Sequence, residues 1–226
     1  MQRIRGIFFD AAGVFYDRTE TTGTFAKRRV AALGYPDRLS NDQDRRKQQV
    51  HVLANEGRIT HEAYWDEILE MYGVRDLEVR NRLRKEILAH TFDVFAYPGG
   101  RDAMAGLQAR GFSLGIVTDT IYPVEWKMAW LEKVGVAEFI TIVACSSVLG
   151  AHKPQPEMYL HAVRQAGLTP ANSAFVGHDA GELEGARRAG LATVAVNYDQ
   201  EARADYYAGS LLGLLDVPIF QAEAVR

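Results

Sequence analysis

The chain has 226 residues, of which 47% are hydrophobic and 24% are charged, a composition typical of a soluble globular protein. The formal net charge of -3 gives no overall basic field, so nucleic acid is not an expected partner. The single cysteine, Cys145, excludes an internal disulfide and a thiolate zinc site, and it is consistent with a reducing compartment.

The N-terminal segment, residues 1–13, reaches an acidic residue too early for a signal peptide. No apolar run approaches the roughly 18 residues that a membrane-spanning helix needs. We therefore expect a cytoplasmic protein with no membrane partner. The length allows one large domain, or one domain with an insertion, and both a monomer and a homodimer stay open.

Short apolar segments alternate with amphipathic segments through most of the chain. The apolar segments predict strands over Arg5–Asp10, Ser113–Thr118, Phe139–Ala144, Ser173–Gly177 and Leu191–Val196. The amphipathic segments are followed by glycines, which commonly end helices, and they predict helices over Asp102–Arg110, Val124–Val134, Pro156–Ala166 and Glu182–Ala189. This alternation predicts an α/β fold with a Rossmann-like parallel sheet and helices on both of its faces.

One long segment, from about residue 19 to residue 92, contains no convincing strand. Its pattern predicts helices over Thr24–Ala32, Asn41–Asn55, Thr60–Met71 and Leu77–His90, and Ser40 with Gln43 fits a capping box. The simplest interpretation is an all-helical cap domain, residues 18–93, inserted into a core domain formed by residues 1–17 and 94–226.

Polar residues follow several of the predicted strands. Asp10 ends the first strand, Thr118 ends the second, and Lys153 follows the third. In open parallel sheets, ligands bind outside the carboxyl ends of the strands, so these side chains are expected to meet at one edge. A carboxylate, a hydroxyl and an ammonium suit nucleophilic attack on a small anionic substrate. Asp10 would form the covalent intermediate, while Thr118 and Lys153 bind the negative oxygens.

Four segments resemble the motifs of haloacid dehalogenase-like (HAD) hydrolases with a helical cap. FFDAAGVFYD resembles motif one, IVTDT motif two, AHKPQPEMY around Lys153 motif three, and FVGHDAGELEGARRAG motif four. The four occur in the family's order and run from residue 5 to about residue 196. The resemblance implies a hydrolase in which Asp10, Thr118 and Lys153 are catalytic.

The resemblance also implies a set of binding residues and a cofactor. The substrate-binding positions would be Ala11, Ala12, Asp119 and His178. The cofactor would be Mg²⁺, held by Asp10, the backbone carbonyl of Ala12, and Asp179 or Glu182, since this ion takes hard oxygen ligands.

Motifs one and four depart from the family pattern. Most HAD phosphatases carry a second Asp two residues after the nucleophile, which protonates the leaving group and then activates water. Here that position is Ala12, and Val14 replaces the usual Thr. In motif four, His178 replaces the usual metal-binding Asp, with Asp179 beside it and Glu182 as the second acid.

Three interpretations of this site compete. The one we favour is a phosphatase acting on a small phosphorylated metabolite, because residues 57–62 (GRITHE) resemble the caps of such enzymes. The second is a metal-independent dehalogenase-like or other C–X bond hydrolase, since members that cleave carbon–halogen bonds also lack the second Asp. The third is a degenerate protein that binds a ligand or partner without turnover. The sequence does not identify the substrate.

Overall fold

The structure is a computed structural model that describes residues 3–221. Its central sheet has six strands among these residues, all parallel, in the order β5-β4-β1-β6-β7-β8. The strands are β1 (Gly6–Phe9), β4 (Ser113–Thr118), β5 (Ile142–Cys145), β6 (Ser173–Gly177), β7 (Ala192–Val196) and β8 (Tyr206–Ala208). The predicted α/β fold is confirmed.

Two details of the sheet differ from the prediction. The third predicted strand begins later, at Ile142, because Ala137–Phe139 form a 3₁₀ turn. Strand β8 was not predicted, since three residues are too few to show a periodic pattern.

Successive residues of each central strand face opposite sides of the sheet. Ile7 and Phe9 of β1 belong to one buried core, whereas Phe8 belongs to the other. Helices α5 (Gly100–Ala109) and α6 (Val124–Lys133) pack into the first core, and α8 (Pro156–Gln165) and α9 (Ala180–Arg188) into the second. The strands are therefore covered on both faces, which explains their nearly continuous apolar sequences.

Helices fill the predicted cap segment. They are α1 (Thr22–Ala32), α2 (Asn41–Asn55), α3 (His61–Met71) and α4 (Leu77–His90). The capping box is present, because the Gln43 backbone N–H donates to Ser40 Oγ over 3.3 Å and the Ser40 backbone N–H donates to Gln43 Oε1 over 2.8 Å. Thr60 lies just before α3 and caps it, so this helix begins one residue later than predicted.

A short antiparallel pair of strands lies where the chain leaves the core to form these helices and where it returns to the core. The sequence did not predict this pair. It consists of β2 (Tyr16–Asp17) and β3 (Phe95–Ala96). The predicted domain boundaries fall beside this pair and stay a prediction. The predicted core-domain ends, residues 1–2 and 222–226, lie outside the described residues.

The close contacts between the helical segment and the core include a hydrogen bond and a tight approach of backbone to backbone. Trp65 Nε1 of α3 donates a hydrogen bond to Tyr122 Oη over 3.1 Å, where Tyr122 follows β4. Gly57, at φ +66°, lies so near the helical turn after β5 that a Cβ there would be 2.1 Å from the Ser147 carbonyl oxygen. A glycine is therefore required at this contact.

Between residues 3 and 221, none of the helices is long and apolar enough to cross a bilayer. The remaining helix is the single turn α7 (Ser146–Leu149), which directly follows β5.

Candidate active site

Asp10 and Lys153 form a buried ion pair at the carboxyl edge of the sheet. Asp10 directly follows β1, and its backbone N–H donates to the Val176 carbonyl over 2.9 Å. Lys153 Nζ donates to Asp10 Oδ1 over 2.6 Å and lies 2.8 Å from Glu182 Oε1. One ammonium group therefore joins two carboxylates, and two of the three residues predicted to be catalytic are in direct contact.

The ion pair sets the charge states of its members. Burial alone would raise the pKa of Asp10, but the Lys153 ammonium and the His178 imidazole hold it well below its usual range. Burial alone would lower the pKa of Lys153, but the carboxylates of Asp10 and Glu182 raise it above its usual value. Asp10 is therefore ionised at neutral pH, the charge state in which a carboxylate can act as a nucleophile.

Glu182, near the start of α9, is the second carboxylate of this cluster. Burial raises its pKa to about 7, the negative charge of Asp10 adds to this effect, and Lys153 opposes it. Its Oε2 atom is buried and has no hydrogen-bond partner within the described part of the chain.

Asp179 caps a helix, whereas Glu182 contacts Lys153. Asp179 is the N-cap of α9, and its Oδ1 accepts a hydrogen bond from the Glu182 backbone N–H over 3.0 Å. The structure therefore brings Glu182 to the Asp10–Lys153 pair and engages the Asp179 carboxylate at the helix terminus.

His178 lies beside the Asp10 carboxylate oxygen that Lys153 does not contact. Its Nδ1 is 3.5 Å from Asp10 Oδ2. Interaction with Asp10 raises the pKa of His178, although burial acts in the other direction. The ring also covers Gly13, where a Cβ would be 2.5 Å from ring atoms Cε1 and Nε2. A histidine at position 178 therefore depends on a glycine at position 13, a relation that the sequence pattern did not reveal.

Thr118 ends the neighbouring strand β4, and Asp119 follows it. Thr118 is fully buried, and its Oγ1 has no hydrogen-bond partner among the described residues. Asp119 accepts the backbone N–H of Lys153 at 3.1 and 3.2 Å from its two oxygens, so it positions the segment that carries the lysine. Burial raises the pKa of Asp119, while Lys153 opposes the shift.

Ala11 and Ala12 directly follow Asp10. Ala11 is fully buried and Ala12 is half-buried. Neither side chain titrates, so neither supplies the acid that the family pattern has at position 12. Their predicted role in substrate binding would have to come from the backbone, and it stays a prediction.

A cleft of about 730 Å³ lies between the helical segment and the loop after β4. Helix α2 contributes Lys47 and His51 to its wall, and the core contributes Ile121 and Tyr122. Burial lowers the pKa of His51 and the Asp119 carboxylate raises it, so the cleft wall lies within electrostatic reach of the sheet edge. Its size suits a small-molecule ligand. In the sequence, only the i, i+4 spacing of Lys47 and His51 indicates that the two side chains lie on the same face of a helix.

The comparisons with known proteins agree with this geometry. Residues 4–190 match the family model described as haloacid dehalogenase-like hydrolase. The chain is 26% identical to a glyceraldehyde 3-phosphate phosphatase of Methanopyrus kandleri, over 99% of this chain and 94% of that protein. It is also 26% identical to a phosphoglycolate phosphatase of Salmonella typhi, over 88% of this chain and 83% of that protein.

Solved structures of two kinds share the fold. A dehalogenase superposes with a TM-score of 0.68 at 20% identity, over 99% of this chain and 100% of that one. A predicted phosphoglycolate phosphatase from Haemophilus somnus 129pt gives a TM-score of 0.69 at 15% identity, over 96% and 98% of the two chains. Since both identities are low, these likenesses concern the fold alone.

Proposed function

The chain belongs to the haloacid dehalogenase-like hydrolase family, and on that premise we propose that it is a phosphatase that hydrolyses a small phosphorylated metabolite through Asp10. The observation that carries the proposal is the buried, ionised Asp10 carboxylate held by Lys153 at the carboxyl edge of the sheet. The names of the M. kandleri and S. typhi relatives support a phosphorylated substrate.

In the proposed reaction, a carboxylate oxygen of Asp10 attacks phosphorus and the bond from phosphorus to the leaving oxygen breaks. The product of this step is an acyl phosphate on Asp10, and water then hydrolyses it to return the carboxylate and release phosphate. The Lys153 ammonium and the Thr118 hydroxyl would stabilise the charge on the phosphoryl oxygens.

Position 12 restricts the range of substrates. Because Ala12 has no proton to give, the leaving oxygen takes its proton from another group of the protein or from water. We therefore expect good leaving groups, such as acyl or aryl phosphates, to react faster than simple alkyl phosphates.

A divalent cation is part of the proposal. A carboxylate oxygen of Asp10, one of Glu182 and a ring nitrogen of His178 all lie within 4.8 Å of one another, so they can converge on one ion. Mg²⁺ is the ion that the family resemblance favours, but an imidazole ligand suits transition-metal ions such as Mn²⁺ better. When bound, the ion would neutralise charge on the phosphoryl oxygens.

The decisive experiment is a screen of phosphorylated metabolites, with 2-haloacids screened in parallel. We expect phosphate release that Asp10→Asn abolishes, a loss of at least about 1,000-fold, because the amide is a poor nucleophile. Halide release without phosphate release would replace the proposal with a dehalogenase. If neither phosphate nor halide is released but a ligand still raises the melting temperature, the result would indicate a binding role.

Metal preference is tested by calorimetric titration of the protein with Mg²⁺ and Mn²⁺, apart from any activity. The wild type should bind Mn²⁺ at least about tenfold more tightly, and His178→Asp should shift the preference towards Mg²⁺ by restoring an oxygen ligand. If neither protein binds either ion, the proposal that the site holds a divalent cation is wrong.

A further inference from the structure

Lys127 of α6 is a buried cation outside the motifs of the proposed reaction. The residue is 3% exposed, and its Nζ donates to Tyr16 Oη over 3.1 Å. No carboxylate pairs with it among residues 3–221. An ammonium group has three N–H donors, and Tyr16 uses one of them.

The surroundings of Lys127 compensate its charge only in part. Its Nζ lies 5.4 Å from the ring centroid of Trp130 and 5.7 Å from that of Tyr16, so both rings offer cation–π contacts. A buried charge is costly unless an opposite charge accompanies it. The position therefore favours an anion that residues 3–221 do not provide.

Lys127 is tied to the loop that carries the nucleophile. Tyr16, its hydrogen-bond partner, accepts the Gly13 backbone N–H through its carbonyl over 2.9 Å, which closes the loop after Asp10. Burial has the largest effect on the pKa of Asp10 and raises it, and among the groups that lower it Lys127 acts more weakly than Lys153 and His178. The charge of Lys127 thus reaches the reacting centre.

The other lysine of the site is already engaged. The Lys153 ammonium is shared between the carboxylates of Asp10 and Glu182, whereas Lys127 contacts no carboxylate in the described chain. Of these two cations, Lys127 has more donor capacity left for a substrate.

We propose that Lys127 binds an anionic group of the substrate, with Tyr16 holding its ammonium in place. The inference rests on the proposed function, since it assumes a substrate that reacts at Asp10. The anionic group is either the phosphoryl group to be transferred or a second acidic group on the leaving part of the molecule. Both are oxyanions that an ammonium group recognises in the same way.

Binding without turnover tests the proposal. Orthophosphate and phosphonoacetate, which carries a carboxylate besides its phosphonate, are titrated calorimetrically into wild type, Lys127→Met and Lys133→Met. Lys133 lies on the same helix, is exposed, and donates to the Phe92 carbonyl over 2.7 Å, so it is the matched control. We expect Lys127→Met to weaken binding at least about tenfold and Lys133→Met to change it less than about twofold.

The two probes distinguish whether Lys127 binds the phosphoryl group or the second acidic group. Equal weakening of both places Lys127 at the phosphoryl group, and weakening of phosphonoacetate alone places it at the second acidic group. Unchanged affinity for both in Lys127→Met overturns the inference, as does a wild type that binds neither probe.

Tyr16→Phe keeps the inference testable if Lys127→Met does not fold. This variant retains the ammonium and removes its anchor, so the affinity for at least one probe should fall about threefold or more, and an unchanged affinity overturns the inference. These titrations do not depend on catalysis. A wild type that releases no phosphate from any substrate would therefore refute the proposed function, while a loss of probe binding in the variants would still support Lys127 as an anion site.

Discussion

The edge of the sheet and the helical surface that covers it differ in how far their ion pairs are exposed to water. At the edge, the side chains of Lys153 and Asp10 are 2% and 6% exposed, and they contact each other directly. On the helices, ion pairs such as Arg46 with Glu67 remain largely in water, with 53% and 34% of the side chains exposed. A buried charge that loses its partner is strongly destabilising, whereas an exposed pair contributes little. The difference predicts that substitutions of charged residues at the edge affect folding and chemistry together, and that substitutions of exposed charged residues on the helices leave folding nearly unchanged and affect substrate preference.

The largest effect is expected at Lys153. Replacing it with methionine leaves the Asp10 and Glu182 carboxylates buried beside each other without a counter-ion. We expect the free energy of unfolding to fall by about 3–5 kcal/mol, measured by urea denaturation at pH 7.

A second substitution shows whether charge is the cause. Adding Glu182→Gln to Lys153→Met removes one of the two opposed carboxylates, so the double variant should be more stable than Lys153→Met alone. If the double variant is less stable by the sum of the two single effects, packing rather than charge holds this cluster together.

The next effect is a gain of activity at position 12. Ala12→Asp supplies the missing acid, and general acid–base catalysis is worth about 10²–10⁴-fold in enzymes that have it. We expect a rise of about 10–100-fold in kcat/KM for alkyl phosphates and a smaller rise for p-nitrophenyl phosphate. Ala12→Asn, which has the same shape and no acidic proton, is the control, and an equal rise in that variant would contradict a proton-transfer role.

The sheet edge could be predicted from the sequence because its residues belong to local patterns. Asp10 and Thr118 stand at the ends of strands that short apolar runs identify, so the topology alone brings them to one edge. The bounds of α2 and α4 were also predicted, since both show a long helical pattern and the Ser40–Gln43 capping box marks the start of α2.

The rest of the site depends on contacts between residues far apart in the chain. Nothing local shows that the His178 ring lies over Gly13, or that Lys127 meets Tyr16. The division of roles between Asp179 and Glu182 also needed the structure, because either acid can precede or begin a helix. The cleft formed by α2, α3 and the loop after β4 was likewise absent from the prediction.

A smaller effect is expected where the helical segment meets the core. Gly57→Ala places a Cβ against the Ser147 carbonyl oxygen, so the contact must open, and we expect a loss of about 1–3 kcal/mol in the free energy of unfolding. Gly34→Ala is the matched control, because Gly34 has a similar positive φ of +83° but no atom within 4 Å of the added Cβ. Equal losses in the two variants would mean that backbone strain alone matters and that the close contact does not.

The smallest effect is expected on the cleft wall, at Lys47. Lys47→Met removes a partly exposed positive charge from the wall, and solvent and salt weaken such charges. We expect KM for an anionic substrate to rise less than about tenfold with kcat unchanged, because the charge would act on binding and not on the reacting atoms. Lys27→Met, an exposed position on α1 outside the cleft, should leave both constants unchanged. A fall in kcat for Lys47→Met would mean that a residue of the helical surface takes part in the reaction. The proposal that the sheet edge carries the chemistry and the helices carry only the selectivity would then be wrong.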